Sequence, residues 1–276
     1  MSIKLDLHIH TLSHGKVLID HDNLRQALDR NGVDGVAITN FFDISHAVWL
    51  RKMLPDKIII VGQEVWTKEG HIIGLGLNEQ IPDFIGAEDA IRLIHKQGGI
   101  AVAPHPYLNL GIGEKAEDLP IDAIEVYSGL MGRAVIFNHL AERLANKRNI
   151  PRVASTDTMD TKFIGRSYTN VLTDAPEDIL ETIKAGRIKL KRRAVPLPVV
   201  FILKNLLNFT NFEPCSLHEV PCYICGKSMA VRILKKKYTC SDCGKEVRSR
   251  IACCNGHFLC IDCVCSRALQ ERKHWE

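Results

Sequence analysis

The chain has 276 residues, of which 46% are apolar and 25% are charged. This composition excludes a disordered chain, a coiled coil and a collagen-like repeat, and it allows one large hydrophobic core with a small appended domain. The longest apolar stretch, residues 196–209, contains Lys204 and two prolines, whereas a membrane span needs about 20 consecutive apolar residues. Because Lys4 and Asp6 precede any apolar run, we expect no signal peptide and a soluble, cytoplasmic protein.

Charge and cysteine content divide the chain into two parts. Residues 1–186 hold 19 Lys and Arg against 25 Asp and Glu, a net charge of −6, whereas residues 187–276 hold 17 against 7, a net charge of +10. All ten cysteines lie between Cys215 and Cys265. Clustered thiols in a reducing compartment are more often metal ligands than disulfides. The sequence therefore predicts an acidic body, a linker and a basic, zinc-binding domain, with bounds 1–193, 194–214 and 215–276.

Short β-rich runs alternate with amphipathic helical runs along the body. The predicted strands are Ile3–His10, Gly35–Thr39, Lys57–Glu64, His71–Leu77, Ile100–Ala103, Ala123–Tyr127 and Arg152–Ser155. The predicted helices, with apolar residues at helical spacing, are Asp22–Asn31, Ala87–Gln97 and Ala134–Lys147. This alternation predicts a parallel sheet, and the number of units predicts a closed or nearly closed α/β barrel.

The linker has prolines at both ends and mostly apolar residues between them. Pro196, Pro198 and Pro214 flank a segment rich in Val, Ile and Leu. We expect a short amphipathic helix that docks the basic domain onto the barrel. A helix on a membrane surface is the minor alternative, since few cations accompany the apolar residues.

Histidines and acids stand at the ends of the predicted strands. His8 and His10 close the first strand and share one face, because side chains alternate along a strand. The other such residues are Glu64, His71, His105 and Asp157. All but His71 stand where a strand ends, and the carboxyl ends of barrel strands are where functional residues collect. A functional cluster is therefore favoured over hydrogen-bonded core histidines.

Recognisable motifs follow one another in order along the body. They are DLHIHTLSHG at 6–15, GVDGVAITN at 32–40, GQEV at 62–65, HIIGLG at 71–76, AVAPHP at 101–106, IEVYSG at 124–129, ASTD at 154–157, IGRSYTNVL at 164–172 and EDILETIKAGR at 177–187. This series resembles the PHP (polymerase and histidinol phosphatase) superfamily of metal-dependent phosphoesterases. The resemblance covers about residues 1–190 and implies a distorted seven-stranded (β/α) barrel with metals at its rim.

The resemblance implies divalent cations at the rim, and the ligands of two of them are fully matched. Histidine and carboxylate ligands admit Zn²⁺, Mn²⁺ or Fe²⁺. The implied ligands of the first cation are His8, His10, Glu64 and Asp157. Those of the second are Glu64, His71 and His105. Glu64 would bridge the two cations, and the hydroxide that they share would attack phosphorus in a phosphate ester. Asp6 and Glu125 are candidate acceptors that fix the tautomers of the histidines.

A third cation site of the family is only partly matched. His14 could supply one ligand, but Phe41 and Met159 stand at the other two ligand positions, and Asn40 replaces an aspartate. A phenyl ring binds no metal, and a thioether is a poor ligand for these ions. We therefore expect a two-metal centre, with Arg166 replacing part of the missing charge and His14 as general acid. For both residues a solvated surface side chain is the alternative.

The basic domain contains two C-x2-C-G motifs, Cys222 with Cys225 and Cys240 with Cys243. Each motif makes a turn that directs two thiolates at one tetrahedral ion. Paired motifs at this separation are typical of structural zinc, and the segment resembles a zinc ribbon. We expect these four cysteines to share one Zn²⁺.

A second cysteine group follows. Its firmest members are Cys253, His257, Cys260 and Cys263, with Cys254 and Cys265 as further candidates. Four of these residues would complete another zinc site. An iron–sulfur cluster would use the same thiolates and is the alternative.

Basic runs at 189–193 and 232–237 predict contacts with a phosphate backbone. Tyr223, Tyr238 and Phe258 are candidates for stacking on bases. A solvated basic face on a protein-binding module is the alternative. A PHP domain followed by zinc-binding cysteines also resembles endonuclease Q, an archaeal enzyme that cuts DNA beside deaminated bases.

The sequence predicts a PHP-type phosphoesterase. Its expected substrate is a nucleotide, a nucleic acid or a small phosphomonoester, with nucleic acid binding assigned to the basic domain. The alternative is a non-catalytic metal-binding barrel whose zinc module recruits a nucleic acid or a protein partner.

Overall fold

The structure is a computed structural model that divides into two compact units, Met1–Val195 and Pro196–Glu276. It describes residues 2–13, 16–108, 110–130, 135–196, 222, 224–225, 229–253, 255–260 and 263, and only the backbone of 13, 16, 229–235 and 248–251. The predicted linker helix and His14 lie outside the described residues.

The first unit alternates strands and helices. Its strands are β1 (Ile3–Ile9), β2 (Leu12–Ser13), β3 (Lys16–Val17), β4 (Gly35–Ile38), β5 (Ile58–Trp66), β6 (His71–Leu75), β7 (Ile100–Ala103), β8 (Ala123–Ser128), β9 (Arg152–Ser155), β10 (Tyr168–Val171) and β11 (Ile188–Lys191). Its α-helices are α1 (His21–Asn31), α2 (Ser45–Met53), α3 (Ala87–Lys96), α4 (Val135–Arg148) and α5 (Ile179–Lys184). Local sequence sets their ends: Asp20 caps α1 by accepting a hydrogen bond from the Asn23 amide, and Gly32 ends α1 in the left-handed conformation.

Nine strands form one nearly closed, barrel-like sheet in the order β11-β10-β1-β4-β5-β6-β7-β8-β9. The predicted α/β barrel is confirmed, with two strands more than the seven implied, because β10 and β11 extend the sheet beyond β1. The expectation of a wholly parallel sheet is wrong. β6 runs antiparallel to both β5 and β7, and β10 runs antiparallel to β1 and β11.

The barrel closes at the end of β1. The first half of β1 pairs with β10, whereas its second half meets the segment that follows β9. The carbonyl of His8 accepts a hydrogen bond from the Asp157 amide at 2.8 Å, and the His10 amide donates to the Thr158 carbonyl at 2.9 Å. This closure brings Asp157 beside the two histidines of β1.

Two hydrophobic clusters lie on the two faces of the sheet. The larger cluster includes the apolar sides of α1, α2, α3 and α4. The smaller cluster contains Leu5 and Leu7 of β1, Ile73 of β6 and Val102 of β7, closed by Ile183 of α5. The sheet face that carries the smaller cluster is called the inner face below.

The second unit is built around an antiparallel hairpin. Its strands are β12 (Met229–Thr239) and β13 (Glu246–Cys253). Among the described residues, no helix combines the length and the apolar character needed to cross a membrane.

Candidate metal centre

Six ionisable side chains meet at one end of the barrel. They are His8 and His10 of β1, Glu64 of β5, His71 of β6, His105 after β7 and Asp157 after β9. Each is at most 5% exposed. These are the six residues that the sequence predicts as rim ligands, and the structure brings all of them together.

A bulge in β1 directs both histidines to the inner face. Asp6 pairs with Val36 but Ile9 pairs with Ile38, so β1 has one residue more than β4 between these two positions. Residues on either side of such a bulge change their alternation. Leu7 and His8 can therefore both face inward, and apolar side chains fill the barrel up to the point where the polar centre begins.

The antiparallel direction of β6 explains why His71 stands at a strand's start. Because β6 enters the sheet against β5, its first residue lies at the rim where β5 ends, and His71 pairs with Trp66. Ile73 and Ile60 belong to the smaller cluster, so His71 and Glu64, two and four residues away, share their face.

His105 and Asp157 hold left-handed backbone conformations, with φ of 26° and 56°. This region is unfavourable for residues other than glycine and is concentrated at functional sites. The His105 amide donates to Glu125 Oε2 at 2.8 Å, and the Asp157 amide donates to the His8 carbonyl. These bonds hold both side chains at the rim.

The two carboxylate oxygens of Glu64 face different histidines. Oε2 lies 3.0 Å from His8 Nε2 and 3.1 Å from His10 Nε2. Oε1 lies 2.6 Å from His71 Nδ1 and 3.2 Å from His105 Nε2. Each carboxylate oxygen therefore faces its own pair of ring nitrogens, which is the arrangement that a bridging ligand needs.

Asp157 joins the first pair of histidines. Its Oδ1 lies 3.3 Å from His8 Nε2 and 3.7 Å from His10 Nε2, and these two nitrogens are 3.2 Å apart. Two ligand triads have donor atoms within 4.8 Å of one another, His8–His10–Asp157 and His8–Glu64–His105. Buried imidazoles and carboxylates that converge on a point suit Zn²⁺, Mn²⁺ or Fe²⁺.

The electrostatics of the centre favour a bound positive charge. Burial lowers the pKa of His8, but Asp157, Glu64 and Glu125 outweigh burial, so the pKa of His8 lies well above its usual value. Burial raises the pKa of Glu64, yet the histidines around it, first His71, hold that pKa well below its usual value. For His71 burial dominates, and its pKa is lowered.

Glu125 supports the ligands from behind. Its Oε1 lies 3.4 Å from His8 Nδ1 and accepts a hydrogen bond from the Ser155 hydroxyl, while its Oε2 accepts the His105 amide. A carboxylate at the second nitrogen of a ligating histidine fixes its tautomer and orientation. Ser155 did not stand out in the sequence, because a strand serine carries no signal of its own.

Asp6 binds backbone amides instead of a histidine ring. Its Oδ1 accepts from the Thr156 amide and its Oδ2 from the Gly165 amide, both at 2.8 Å. Burial raises the pKa of Asp6 to about 7, and the amide donors oppose that rise. Asp6 therefore holds the segment that carries Asp157.

An aromatic ring stands at one ligand position of the partly matched third cation site. Phe41 stacks on His10 with ring centroids 4.6 Å apart, and Met159 is half-buried. Asn40 accepts hydrogen bonds from the amides of Thr11 and Leu12. Among the described residues, the ligand triads at the rim are the two given above.

Arg166 donates its Nε to the Ala194 carbonyl at 2.6 Å. This bond ties the side chain to the segment that follows β11. The catalytic role of Arg166, like that of His14, stays a prediction.

The cysteine domain contains two ligand clusters, grouped differently from the prediction. The first cluster is Cys222, Cys225, Cys253 and His257, and the second is Cys240, Cys243, Cys260 and Cys263. The expected grouping of the two C-x2-C-G motifs at one ion is therefore wrong.

The hairpin explains this exchange of partners. Cys253 at the end of β13 pairs with Met229 at the start of β12, so it lies beside the first motif. Beyond the other end of the hairpin, the Ser241 amide donates to the Phe258 carbonyl, which brings Cys260 to the second motif. The Cys260 amide donates to Cys240 Sγ at 3.2 Å.

Two of the three predicted base-stacking residues of this domain pack against each other. Tyr238 stacks on Phe258 with centroids 5.3 Å apart, and Phe258 is 7% exposed. Tyr223 lies outside the described residues, as do the side chains at 232–235. The expected stacking on bases is wrong for Phe258, because its ring is buried in the domain core.

Comparison with known proteins places this geometry in a family. A family model described as PHP-associated matches residues 135–188. The uncharacterized protein MJ1587 of Methanocaldococcus jannaschii is 33% identical over 150 residues, which cover 49% of this chain and 88% of that protein. The chain belongs to the PHP family. The resemblance that the motif order indicates is confirmed.

Two solved structures align with this chain to different extents. A two-domain protein of Bacteroides vulgatus, containing a predicted PHP-like metal-dependent phosphoesterase, aligns with a TM-score of 0.57 and 18% identity over 93% of this chain and 88% of that one. Endonuclease Q, in complex with a DNA duplex, aligns with a TM-score of 0.47 and 17% identity over 68% of this chain and 58% of that one. The first alignment supports a PHP-like fold. The TM-score of the second is too low to support any conclusion about this chain.

Proposed function

We propose that the first unit is a metal-dependent phosphoesterase with a two-cation centre. The observation that carries the proposal is the division of Glu64, whose Oε2 faces His8 and His10 while its Oε1 faces His71 and His105. The first cation would be held by His8, His10, Glu64 and Asp157. The second would be held by Glu64, His71 and His105.

Two divalent cations in such a site lower the pKa of a water that they share and neutralise charge on phosphate oxygens. The protein's part is to keep the ligands buried and oriented. Glu125 at 3.4 Å from His8 Nδ1 orients that ring, and burial, which lowers the pKa of His71, keeps its imidazole neutral and able to bind a metal.

A nucleotide or nucleic acid is the substrate class that the charge distribution supports. Residues 187–276 carry a net charge of +10, and Lys189, Lys191 and Arg193 are exposed beside one another along the chain at β11. Exposed cations of this kind bind phosphates with an affinity that falls as salt rises. A small phosphomonoester remains the second candidate, because the metal centre by itself selects only the phosphate.

Metal content and turnover, measured on the full chain, test this proposal. We expect two rim cations per chain beyond the zinc of the cysteine domain, and metal-dependent hydrolysis of a generic phosphomonoester or phosphodiester. Glu64→Gln should lose both rim cations and at least about 100-fold in turnover, since metal chemistry supplies several kcal/mol of the rate enhancement. His139→Ala, on the exposed side of α4, is the matched control and should leave metal content and rate unchanged.

The non-catalytic alternative predicts a different outcome. If the rim binds two cations but no ester is hydrolysed with Zn²⁺, Mn²⁺ or Fe²⁺, the barrel is a binding module and the catalytic proposal fails. The replacement of the third site by Phe41 is the observation that favours this alternative.

A further inference from the structure

Four aromatic side chains form one continuous surface beside the metal centre. Phe41 and Phe42 follow β4, Trp66 ends β5 and Phe84 lies before α3. The ring of Phe42 lies 5.9 Å from Trp66 and 5.9 Å from Phe84, and Phe41 lies 5.9 Å from Trp66. These four rings are called the aromatic shelf.

The aromatic shelf directly adjoins the ligands of both proposed cations. Phe41 stacks on His10 with centroids 4.6 Å apart and a ring angle of 26°, and it lies 5.6 Å from His71. Trp66 lies 5.0 Å from His71. A group bound to the cations would therefore have flat apolar surface next to it on the side of these two histidines.

The shelf is open to solvent. Phe42 is 37% exposed, and Phe41, Trp66 and Phe84 are each only half-buried. The four rings therefore form a contiguous, partly exposed apolar surface and not a fully buried core. Exposed apolar surface that adjoins a polar centre is typical of a ligand-binding site.

Unfavourable backbone conformations hold two of the rings in place. Phe42 has a φ of 59° and Phe84 a φ of 63°, the left-handed region that bulky residues avoid. The Phe42 carbonyl accepts a hydrogen bond from Gln80 Nε2 at 2.7 Å, and the Phe84 amide donates to the Trp66 carbonyl. Conformations of this kind are concentrated at ligand contacts, and here both occur in the same patch.

We propose that the aromatic shelf binds the nucleobase of a nucleotide whose phosphate lies at the metal centre. A base is a planar π-system joined to its phosphate through a single sugar, and aromatic side chains bind such rings by stacking with little dependence on sequence. The inference rests on the proposed function, because the cations hold the phosphate. It assigns Phe42 a role in substrate specificity, with Phe41 adjoining the phosphate.

Substrate pairs that differ only in the base test this assignment on the full, metal-loaded chain. Adenosine 5′-monophosphate is compared with ribose 5-phosphate, and an oligonucleotide with the same strand lacking its terminal base. Base stacking is worth about 1–3 kcal/mol, so the base should raise kcat/KM by about 10-fold or more. A preference for either the mononucleotide or the strand supports the shelf and identifies which of the two supplies the base.

Variants locate the preference. Phe42→Leu and Phe84→Leu should each lower the ratio of kcat/KM with and without the base by about 10-fold. Trp49→Leu is the matched control, since Trp49 is 41% exposed on α2 and outside the shelf, and it should leave the ratio unchanged. Equal kcat/KM within each pair, or a preference that both shelf variants retain, would overturn the assignment.

A binding measurement separates this failure from failure of the catalytic proposal. The dissociation constants of adenosine 5′-monophosphate and ribose 5-phosphate are measured by calorimetry on the metal-loaded chain. If no ester is hydrolysed but the nucleotide binds about 10-fold more tightly, the shelf stands and the phosphoesterase proposal fails. If ribose 5-phosphate is hydrolysed at the same rate as the nucleotide and binds with the same affinity, the phosphoesterase proposal stands and the shelf assignment fails.

Discussion

Glu125 is a buried carboxylate that orients residues of the candidate metal centre without being one of the proposed ligands. It accepts hydrogen bonds from the Ser155 hydroxyl and the His105 amide, and its Oε1 lies 3.4 Å from His8 Nδ1. A single side chain thus orients one ligand ring and fixes the left-handed backbone of another ligand. Hydrogen bonds at this point decide which ring nitrogen of His8 faces the centre.

We expect Glu125→Gln to weaken metal binding by about 10- to 100-fold, the usual effect of removing a second-layer carboxylate. The amide retains the size of the side chain but removes the charge that stabilises a metal-bound imidazole. Competition with a chromogenic chelator measures the affinity. Glu142→Gln, at a carboxylate that pairs with Arg152 and Arg192 on the surface, should bind metal as the natural chain does. Equal affinity of the two variants would exclude the positioning role of Glu125.

At the scale of elements, the sequence predicts strand positions better than strand directions. The period of apolar residues and the acid or histidine at each strand end place β1, β5, β7 and β9 within a few residues. The direction of β6 depends on the short return after Trp66, and the bulge in β1 depends on its pairing with β4. Both are tertiary effects that a single sequence does not carry.

The cysteine domain illustrates the same limit. Motif spacing identifies which residues bind metal in such domains, but not which motifs share an ion. Cys253 reaches the first motif only because β13 pairs with β12 along its length. The four ligand pairs can be divided between two ions in three ways, and the hairpin selects one of them.

Asp6 ties β1 to the segment that carries Asp157, so its loss should destabilise the barrel. Asp6→Asn places an NH₂ group against one of the amides of Thr156 and Gly165, which should cost about 1–3 kcal/mol of unfolding free energy at pH 5. Denaturant unfolding of the chelator-treated protein measures this cost. Asp34→Asn is the control, because the Asp34 carboxylate is exposed and accepts one backbone hydrogen bond, from the Lys4 amide.

The pH dependence gives this prediction a sign. Burial raises the pKa of Asp6 from 3.8 to about 7, so the folded state holds a proton that the unfolded state has released. The contribution of Asp6 to stability therefore falls as pH rises from about 4 to 7. The difference between the natural chain and Asp6→Asn should narrow between pH 5 and pH 8. A difference that stays constant between pH 5 and pH 8 would show that the carboxylate is ionised throughout.

At the scale of the whole molecule, the two units obtain their stability from different sources. The first unit contains two large hydrophobic clusters, to which its five α-helices contribute buried side chains. The described core of the second unit consists of Cys240, Ala252, Phe258 and Cys260, with four partly buried neighbours. Small cysteine-rich domains commonly depend on bound metal for their folding free energy, so we expect the same of this unit.

The exchange of cysteine motifs couples the two ligand clusters of the second unit. The first cluster takes ligands from before β12 and from the end of β13 onward, whereas the second takes them from the turn between the two strands and from the segment after β13. Because His257 and Cys260 lie three residues apart but belong to different clusters, an empty cluster releases a segment that the other cluster needs. Cys243→Ser should therefore lower zinc content at both clusters, to fewer than one ion in place of two, whereas Ser241→Ala in the same turn should keep two. Strong chelation should remove the circular dichroism of the hairpin while the barrel still unfolds cooperatively at higher denaturant. If Cys243→Ser retained one full equivalent of zinc, the two clusters would fold independently and the coupling would be excluded.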